Sequence, residues 1–458
     1  MSQPNRSASS RREFLKDTGR IAAAAALTAQ AVPHVHAAEN NTIQMALIGC
    51  GGRGSGAAAD AMSVKNGPVK LVAMADVFPN RVKGSHEQLK RWCGDKIDVP
   101  ADRQFVGFDA YKKAMDCLKP GDIAIFATPL AFRWVHFTYA IEKGLNVFME
   151  KPLTADGPTS RKMFQLAEEA TAKHLKVGVG LMSRHSRALE QLAERIHGGE
   201  IGDLVLIRGY RMHGPIASMQ SSPKPAGTPE VAYQIQRFHS FLWASGGCFN
   251  DFYVHIIDHC GWMKNAWPVQ AQALGGRHYR GDYIDQNFDT YSVEYTFADG
   301  TRFIMDGRCI PGCANIYNSF AHGTKGTAII SRNGDCGGPS ATFKGLGSSR
   351  ADMLWESKVN PGEGNPYHNE WNDLLDAIRN DKPYNEARRG AEASLVASMG
   401  RMAAHTGRVI SYDEILNRGP ELAPDVDKLT MDGPAPLPAG PDGKYPVPQP
   451  GITTKSEY

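Results

Sequence analysis

The sequence predicts an α/β protein whose fold begins with a doubly wound parallel sheet. Three observations support this prediction. A short apolar strand runs directly into a glycine-rich turn, a second apolar strand ends in an acidic residue, and strands alternate with helices as far as residue 151. This alternation is typical of a parallel sheet, because parallel strands need crossover connections and those connections are usually helical.

The first strand begins near residue 43 and ends in the turn Gly49-Cys-Gly51-Gly52-Arg53-Gly54, which leads into an alanine-rich helix. This spacing is typical of a dinucleotide site. Gly49 allows the tight turn, Gly51 lets backbone amides approach a pyrophosphate, and Gly54 lets the helix pack closely on the strand. The N-terminus of that helix would then face the phosphates.

The second strand, from residue 69, ends at Asp76, 22 residues beyond Gly54. An acid at this place is positioned to bind the ribose diol of a dinucleotide, and its charge repels a 2′-phosphate. The sequence therefore favours NAD over NADP, although Arg81 lies nearby and keeps NADP as an alternative.

Two later strands bring polar residues to the edge where parallel sheets bind their ligands. The strand from residue 122 ends at Thr128-Pro129, and the strand from residue 146 ends at Glu150-Lys151. A helix over residues 133–143 connects them. Lys151 is thus expected on the cofactor edge of the sheet.

The N-terminal residues have the order of a twin-arginine export signal. Arg11 and Arg12 precede Phe14, and an apolar, alanine-rich stretch leads to a small-residue site near Ala37. We therefore expect residues 1–38 to be a signal peptide recognised by the twin-arginine machinery, and the mature protein to be periplasmic or otherwise exported. Because this route carries folded proteins, NAD would be loaded before export and held tightly.

Composition excludes several classes of protein. The formal net charge is +3 and the basic residues are scattered, which argues against a nucleic-acid partner. No segment approaches the length of apolar chain that stable membrane insertion requires. The eight cysteines show no zinc-ligand spacing, so no metal is expected; Cys309 and Cys313 could form a disulfide after export.

Residues 413–458 form a proline-rich C-terminal extension, with nine prolines between Pro420 and Pro450. This composition predicts an extended arm rather than a domain. Two alternatives remain open: the arm wraps over a neighbouring subunit, or it is flexible.

The chain resembles the glucose-fructose oxidoreductase, inositol dehydrogenase and MocA family (Gfo/Idh/MocA). The residues that carry the resemblance are the glycine turn, Asp76, Ala127-Thr128-Pro129 and Glu150-Lys151-Pro152-Leu153. The resemblance extends over most of residues 43–412. It implies a Rossmann NAD(P)-binding domain over residues 41–160. An α/β domain over residues 161–412 would then supply the substrate cleft from a large open, mainly antiparallel sheet. The resemblance also implies a homodimer or homotetramer.

In that family the lysine of Glu-Lys-Pro lies beside the nicotinamide, and a later Asp-x-x-x-His pair completes the site. The matching residues here are Lys151, Asp251 and His255, while Tyr253 stands where the family commonly has glycine. These side chains suit alcohol oxidation by hydride transfer. His255 can take the hydroxyl proton, Lys151 can stabilise the developing alkoxide, and Asp251 can orient the imidazole or bind a neighbouring hydroxyl.

Other residues are expected near the same cleft. Arg184, His185, His239 and Tyr253 are candidates for substrate binding, and Phe238, Phe241 and Trp243 could stack on a sugar ring. His213, Tyr367 and His368 are weaker candidates. A rival interpretation takes His255 and His259, with Asp251 or Asp258, as a zinc or iron site.

Three functions remain in competition. The first is an exported oxidoreductase with tightly bound NAD(P) that moves a hydride to and from a hydroxyl of a sugar or polyol and regenerates its cofactor internally. The second is a redox-neutral glycoside hydrolase or lyase that uses bound NAD transiently. The third is a non-catalytic protein that binds NAD or sugar.

Overall fold

The computed structural model describes residues 41–278 and 280–458 of the chain. The predicted export signal over residues 1–38 lies outside the described residues. The region from Thr42 to Tyr458 forms one compact unit that contains two β-sheets.

The first sheet is parallel throughout and has the strand order β3-β2-β1-β4-β5-β6. Its strands are β1 (Ile43–Ile48), β2 (Val69–Asp76), β3 (Gln104–Val106), β4 (Ile123–Phe126), β5 (Asn146–Met149) and β6 (Val177–Val179). The strand order reverses between β1 and β4, which is where doubly wound sheets open a ligand crevice. The predicted Rossmann-like sheet is confirmed.

The second sheet has nine strands. They are β7 (Leu204–His213), β8 (Gln270–Gly276), β9 (Thr290–Thr296), β10 (Arg302–Cys309), β11 (Ile316–Gly323), β12 (Gly326–Arg332), β13 (Ala341–Lys344), β14 (Met353–Glu356) and β15 (Ile410–Ser411). Their order is β14-β13-β12-β11-β7-β10-β9-β8-β15. Only the β7–β10 pair of this sheet is parallel. The fold class predicted for the whole chain is therefore confirmed.

Twelve α-helices occur among the described residues. They are α1 (Gly52–Ser63), α2 (Pro79–Cys93), α3 (Ala110–Met115), α4 (Arg133–Glu142), α5 (Gly157–Ala172), α6 (Arg187–His197), α7 (Glu230–Gln236), α8 (Leu242–Ser245), α9 (Gly247–Lys264), α10 (Pro366–Arg379), α11 (Ala387–Thr406) and α12 (Tyr412–Arg418). Helix α3 is short, and because Gly107 has a φ of 125° the chain turns before this helix starts at Ala110.

Helix α9 lies between the two sheets and is buried on nearly every face. Phe249, Tyr253 and Ile256 pack into the apolar core over the second sheet, whereas Val254 packs into the core of the parallel sheet. A helix that is buried on nearly every face is expected to be largely apolar, and its buried polar side chains need partners. Asp251 and His255 on this helix line a cavity that also includes residues at the ends of the parallel strands.

The proline-rich extension packs on the body of its own chain. Leu437 and Tyr445 are buried in one apolar cluster with Phe132 and Trp243. The extension has little regular secondary structure, but it buries enough apolar surface to be held in place.

All eight cysteines are free thiols, so the possible Cys309–Cys313 disulfide is not formed. Cys313 is exposed, while Cys309 is buried with its sulfur 3.3 Å from the Tyr253 hydroxyl. Among the helices of residues 41–278 and 280–458, none has the length and apolar character needed to cross a membrane.

Candidate active site

The glycine turn after β1 is shaped by close backbone contacts. Gly49 has a φ of 95°, and a Cβ there would lie 2.6 Å from the carbonyl carbon of Ala127. A Cβ at Gly54 would lie 2.0 Å from the carbonyl oxygen of Gly49. By contrast, a Cβ at Gly52 would meet nothing within 4 Å, so this side of the turn is open. The turn is therefore tight against the sheet and accessible where a pyrophosphate would approach.

Asp76 lies beside this turn at the end of β2. Its Oδ2 accepts a hydrogen bond from the amide of Cys50 at 2.8 Å, and its Oδ1 accepts one from the amide of Phe78 at 3.0 Å. Each oxygen keeps a second lone pair for a ribose hydroxyl. Burial raises the pKa of Asp76, and the two amides and the charge of Arg81 oppose that rise.

Arg53 connects the glycine turn to the Glu-Lys-Pro segment. Its Nε lies 2.8 Å from Glu150 Oε1, its Nη2 lies 2.8 Å from Asp60 Oδ2, and its guanidinium lies 5.0 Å from the centre of the Tyr367 ring. Arg53 and Glu150 therefore act as a link between β1 and β5, and their charges balance at the cavity wall.

Arg133 is a site residue that the sequence analysis missed. Its guanidinium is buried and donates hydrogen bonds to the carbonyls of Phe126 at 2.7 Å and Thr128 at 3.0 Å. These bonds hold the Thr128-Pro129 segment at the end of β4. Nothing in the local sequence distinguishes Arg133 from a surface residue at a helix start, so only the fold could find it.

A single cavity of about 880 Å³ joins the glycine turn to the residues of α9. The nucleotide side is lined by Gly49, Gly51, Gly52, Arg53, Gly54, Asp76, Arg81, Thr128, Pro129, Glu150 and Lys151. The opposite side is lined by Arg211, Ser218, Phe238, His239, Asp251, His255, Asp335 and Tyr367. The cavity thus brings together all the predicted cofactor residues and all three predicted catalytic residues.

Lys151 and Asp251 meet in the middle of this cavity. Lys151 Nζ donates a hydrogen bond to the backbone carbonyl of Asp251 at 2.5 Å and lies 3.5 Å from its Oδ1. The other carboxylate oxygen, Oδ2, lies 3.3 Å from Nε2 of His239, whose Nδ1 lies 2.9 Å from the Ser218 hydroxyl. Asp251 therefore contacts Lys151 and His239, not His255 as one predicted role required.

The charge of Asp251 is stabilised by these neighbours. Burial alone would raise the pKa of its carboxyl group, but the charge of Lys151 and the hydrogen bond from His239 outweigh burial and leave that pKa well below its ordinary value. Asp251 is therefore ionised at neutral pH and balances the charge of Lys151.

His255 lies one helical turn beyond Asp251, with its Nδ1 buried and without a hydrogen-bond partner. Burial and the positive charges of Lys151 and Arg211 lower the pKa of His255 well below its ordinary value. Its imidazole is therefore neutral at pH 7, which is the form that accepts a proton.

The far wall of the cavity holds a second charge pair that the sequence analysis missed. Arg211 Nη1, at the end of β7, donates to Asp335 Oδ1 at 3.1 Å, and Arg211 also contacts the Tyr317 ring at 4.2 Å. Burial raises the pKa of Asp335 to about 6, although the charges of Arg211 and Lys151 act in the opposite direction. The two residues are 124 positions apart, and no motif marks either one.

Three of the four residues predicted to bind substrate do not line the cavity, and this is a correction. Arg184 forms a bidentate pair with Asp258, at 2.9 Å for both bonds. His185 is bound by Asp373 at 2.7 Å and lies 3.2 Å from Glu386. The ring of Tyr253 packs against Gly307 in the core. Of the four predicted residues, His239 alone lies at the cavity.

The residues of the rival metal interpretation are separated by other contacts. Asp258 is held by Arg184, and Nε2 of His259 lies 2.9 Å from the Ser319 hydroxyl. Within the described part of the chain, no group of three or more His, Cys, Asp or Glu side chains could hold a metal ion.

Phe241 and Trp243 are buried in the core, so of the three proposed stacking aromatics Phe238 is the one at the cavity.

A nicotinamide dinucleotide fits the residues on the nucleotide side of the cavity. The open face of the glycine turn, the amides at the start of α1 and the free lone pairs of Asp76 match a pyrophosphate and a ribose diol. Arg81 lines the same part of the cavity, so a 2′-phosphate would also find a charge partner there.

The chain is similar in sequence to known polyol dehydrogenases. It is 30% identical over 136 residues to inositol 2-dehydrogenase of Corynebacterium glutamicum, over 29% of this chain and 40% of the relative. It is 24% identical over 223 residues to scyllo-inositol 2-dehydrogenase (NAD(+)) of Bacillus subtilis, over 48% of this chain and 53% of the relative. The chain thus spans about half the length of these relatives or less. No protein-family model matches it.

The structural likeness is more extensive. Aldose-aldose oxidoreductase from Caulobacter crescentus superimposes with a TM-score of 0.62 at 15% identity, over 81% of this chain and 99% of that one. At this identity the likeness concerns the fold. The chain therefore shares its two-sheet fold with this oxidoreductase and is similar, over part of its length, to inositol 2-dehydrogenases.

Proposed function

We propose that this protein is an exported NAD(P)-dependent oxidoreductase that oxidises a CH–OH group of a sugar or polyol. The observation that carries the proposal is the single cavity in which Lys151 lies at hydrogen-bond distance from Asp251, with His255 on the same wall as Asp251 and the glycine turn beside Lys151. The sequence similarity to inositol 2-dehydrogenases supports the same reaction class.

The bound nicotinamide would supply the acceptor for a hydride from the substrate carbon. Lys151 donates a hydrogen bond to the reacting hydroxyl oxygen and stabilises the negative charge that develops on it. Neutral His255 accepts the hydroxyl proton, because its depressed pKa keeps a lone pair available. Asp251 holds Lys151 in place and keeps the cluster electrically balanced.

The wall opposite the glycine turn suits a polyhydroxylated substrate. Arg211 and Asp335 offer donors and acceptors to hydroxyl groups, and Phe238 offers an apolar surface for the face of a ring. Because the charges of Arg211 and Asp335 balance each other, this wall favours an uncharged substrate.

Export through the twin-arginine route would separate the enzyme from free dinucleotide. We therefore propose that NAD is held tightly and that the hydride returns to a second substrate in the same cavity. Tightly held NAD would also suit a redox-neutral cleavage of glycosides. The experiment below therefore distinguishes that activity from net oxidation.

The test is the nicotinamide absorbance of the purified mature protein, without added cofactor, on addition of sugars, polyols and glycosides. We expect absorbance to rise with one polyol or sugar and to fall again when a second, oxidised sugar is added. Release of a leaving group from a glycoside without lasting reduction of the nicotinamide would favour the redox-neutral reaction. No absorbance change and no released group with any compound would contradict both functions.

A matched pair of variants links any absorbance change to the site. His255→Gln should slow reduction by roughly a hundredfold or more, which is the usual contribution of a general base. His197→Gln changes a histidine whose Nε2 lies 3.0 Å from the carbonyl of Trp262, outside the cavity, and should leave the rate unchanged.

A further inference from the structure

The proline-rich extension carries a carboxylate into the interior of the protein. Glu457 is 5% exposed, and its side chain meets Arg401 and His405 on α11, which are 1% and 0% exposed. Arg401 donates to Glu457 through Nε at 2.8 Å and Nη2 at 2.6 Å, and His405 Nδ1 lies 2.7 Å from Oε2. A two-point contact of this kind fixes the orientation of the guanidinium as well as its position.

The other hydrogen bonds of Arg401 reach the two segments that carry the catalytic candidates. Nη1 donates to the side-chain oxygen of Asn250 at 2.9 Å and to the carbonyl of Gly246 at 3.1 Å. Nη2 donates to the carbonyl of Ala155 at 2.8 Å. Asn250 immediately precedes Asp251, and Ala155 follows Lys151 by four residues.

The first turn of α9 depends on such outside contacts. Its N-cap residue is Gly246, which has no side chain of its own to cap the helix, and Gly246 and Gly247 both have φ near 70°. The amides of Gly247 and Cys248 instead donate to Ser245 Oγ at 3.0 Å and to Asn287 Oδ1 at 2.7 Å. A helix start at two glycines therefore relies on contacts with other segments. Arg401 bonds to the carbonyl of Gly246 and to the Asn250 side chain, which fastens both ends of this turn.

The extension is held along its length by other bonds, which keep Glu457 in place. Gln234 Nε2 donates to the carbonyl of Leu437 at 2.6 Å, and Gln286 Nε2 donates to the carbonyl of Pro446 at 2.9 Å. Without Glu457, Arg401 would be a buried cation with no carboxylate partner, and it would be expected to shift toward other acceptors or solvent.

We infer that Glu457 is a positioning residue for the candidate active site. Through Arg401 and Asn250 it fixes the first turn of α9, and hence the placement of Asp251 against Lys151. This inference rests on the proposed oxidoreductase function, but the positioning itself can be measured without turnover.

The first test is the kinetics of Glu457→Gln in the full-length protein. We expect kcat to fall by about tenfold or more, because small displacements of catalytic groups slow the chemical step, while NAD binding and KM for the polyol stay within about twofold of wild type. Tyr445→Phe is the matched control: it removes the hydrogen bond from the extension to Glu230, which involves neither Arg401 nor Asn250, and should leave kcat unchanged.

The second test uses Arg401→Lys and amide hydrogen exchange. Lysine keeps a positive charge for Glu457 but cannot bond Asn250, Gly246 and Ala155 together, so kcat should fall as in Glu457→Gln. In both variants exchange should accelerate at residues 247–255 and stay unchanged in Tyr445→Phe. Unchanged exchange in these residues would overturn the inference, as would an unchanged kcat in both variants.

The two tests separate this inference from the proposed function. If the wild-type protein oxidises no polyol or sugar, the proposed function fails, and exchange at residues 247–255 still decides whether Glu457 fixes α9. If the wild type is active and Glu457→Gln loses stability but not kcat at a temperature where it is folded, Glu457 is only structural and the inference is wrong.

Discussion

Lys151 Nζ lies 2.5 Å from the backbone carbonyl of Asp251, so a residue at the end of the parallel sheet bonds directly to a residue on the buried helix α9. The two are 100 positions apart in the chain. Because this bond and the 3.5 Å contact with Oδ1 fix the ammonium group, Lys151 is oriented before substrate arrives.

Replacing Lys151 should remove activity while leaving NAD bound. In Lys151→Met we expect kcat to fall by about a hundredfold to a thousandfold, because one donor to the developing alkoxide is lost. Steady-state rates and NAD titration on the same preparation measure both effects. Lys143→Met is the control, since Lys143 pairs with Asp116 at the surface; equal losses in both variants would contradict a specific role for Lys151.

A methyl group should be tolerated at Gly56 in α1 and not at Gly54 in the glycine turn. A Cβ at Gly54 would lie 2.0 Å from the Gly49 carbonyl, so Gly54→Ala should lower stability by about 1–3 kcal/mol and weaken NAD binding. At Gly56 the nearest atom belongs to the Arg53 side chain, at 3.5 Å. Gly56→Ala should therefore keep NAD binding, and denaturant unfolding with NAD titration distinguishes the two.

Asp76 should determine the preference between the two dinucleotides. In Asp76→Ala, NAD affinity should fall by about tenfold to a hundredfold, because hydrogen bonds from two ribose hydroxyls to a carboxylate are lost. NADP affinity should fall less, since Arg81 remains. Titration of both dinucleotides measures the ratio, and Asp98→Ala, at an exposed ion pair with Lys70, serves as the control. An unchanged ratio would refute this role.

The pH dependence of substrate binding should follow Asp335. Its pKa is about 6, so below pH 6 it becomes protonated and its ion pair with Arg211 weakens. We expect KM to rise as pH falls from 7 to 5. Asp335→Asn should have a high KM with no such step. Burial and the charges of Lys151 and Arg211 lower the pKa of His255 well below its ordinary value, so we expect kcat to change less than KM.

Export should depend on the paired arginines near the start of the sequence. Arg11→Lys with Arg12→Lys should leave the protein in the cytoplasm with its precursor intact, because the twin-arginine route recognises this pair. Cell fractionation and N-terminal sequencing provide the measurement. Arg6→Lys, outside the motif, should be exported normally; export of both variants would contradict the predicted signal.

The parallel sheet and the glycine turn with its acid could be predicted from the sequence alone, and the spacing of Asp251 and His255 placed both on one face of a helix. These features are local: a glycine turn needs particular backbone angles, an acid at a strand end has a fixed place in a doubly wound sheet, and residues four apart share a helix face. The assignment of Lys151, Asp251 and His255 to one site came from the resemblance to the family, and the structure places the three residues in the lining of one cavity.

The tertiary structure was needed to show which side chains face one another across the cavity and which are bound elsewhere. Arg184 was predicted at the cleft but is held by Asp258, whereas Arg211 and Asp335 were not predicted and form the far wall. The extension likewise packs on its own chain, with Glu457 held by Arg401. Such pairings join residues that are far apart in the sequence. Composition, spacing and periodicity describe local structure, so they do not predict which distant residues will be buried against each other.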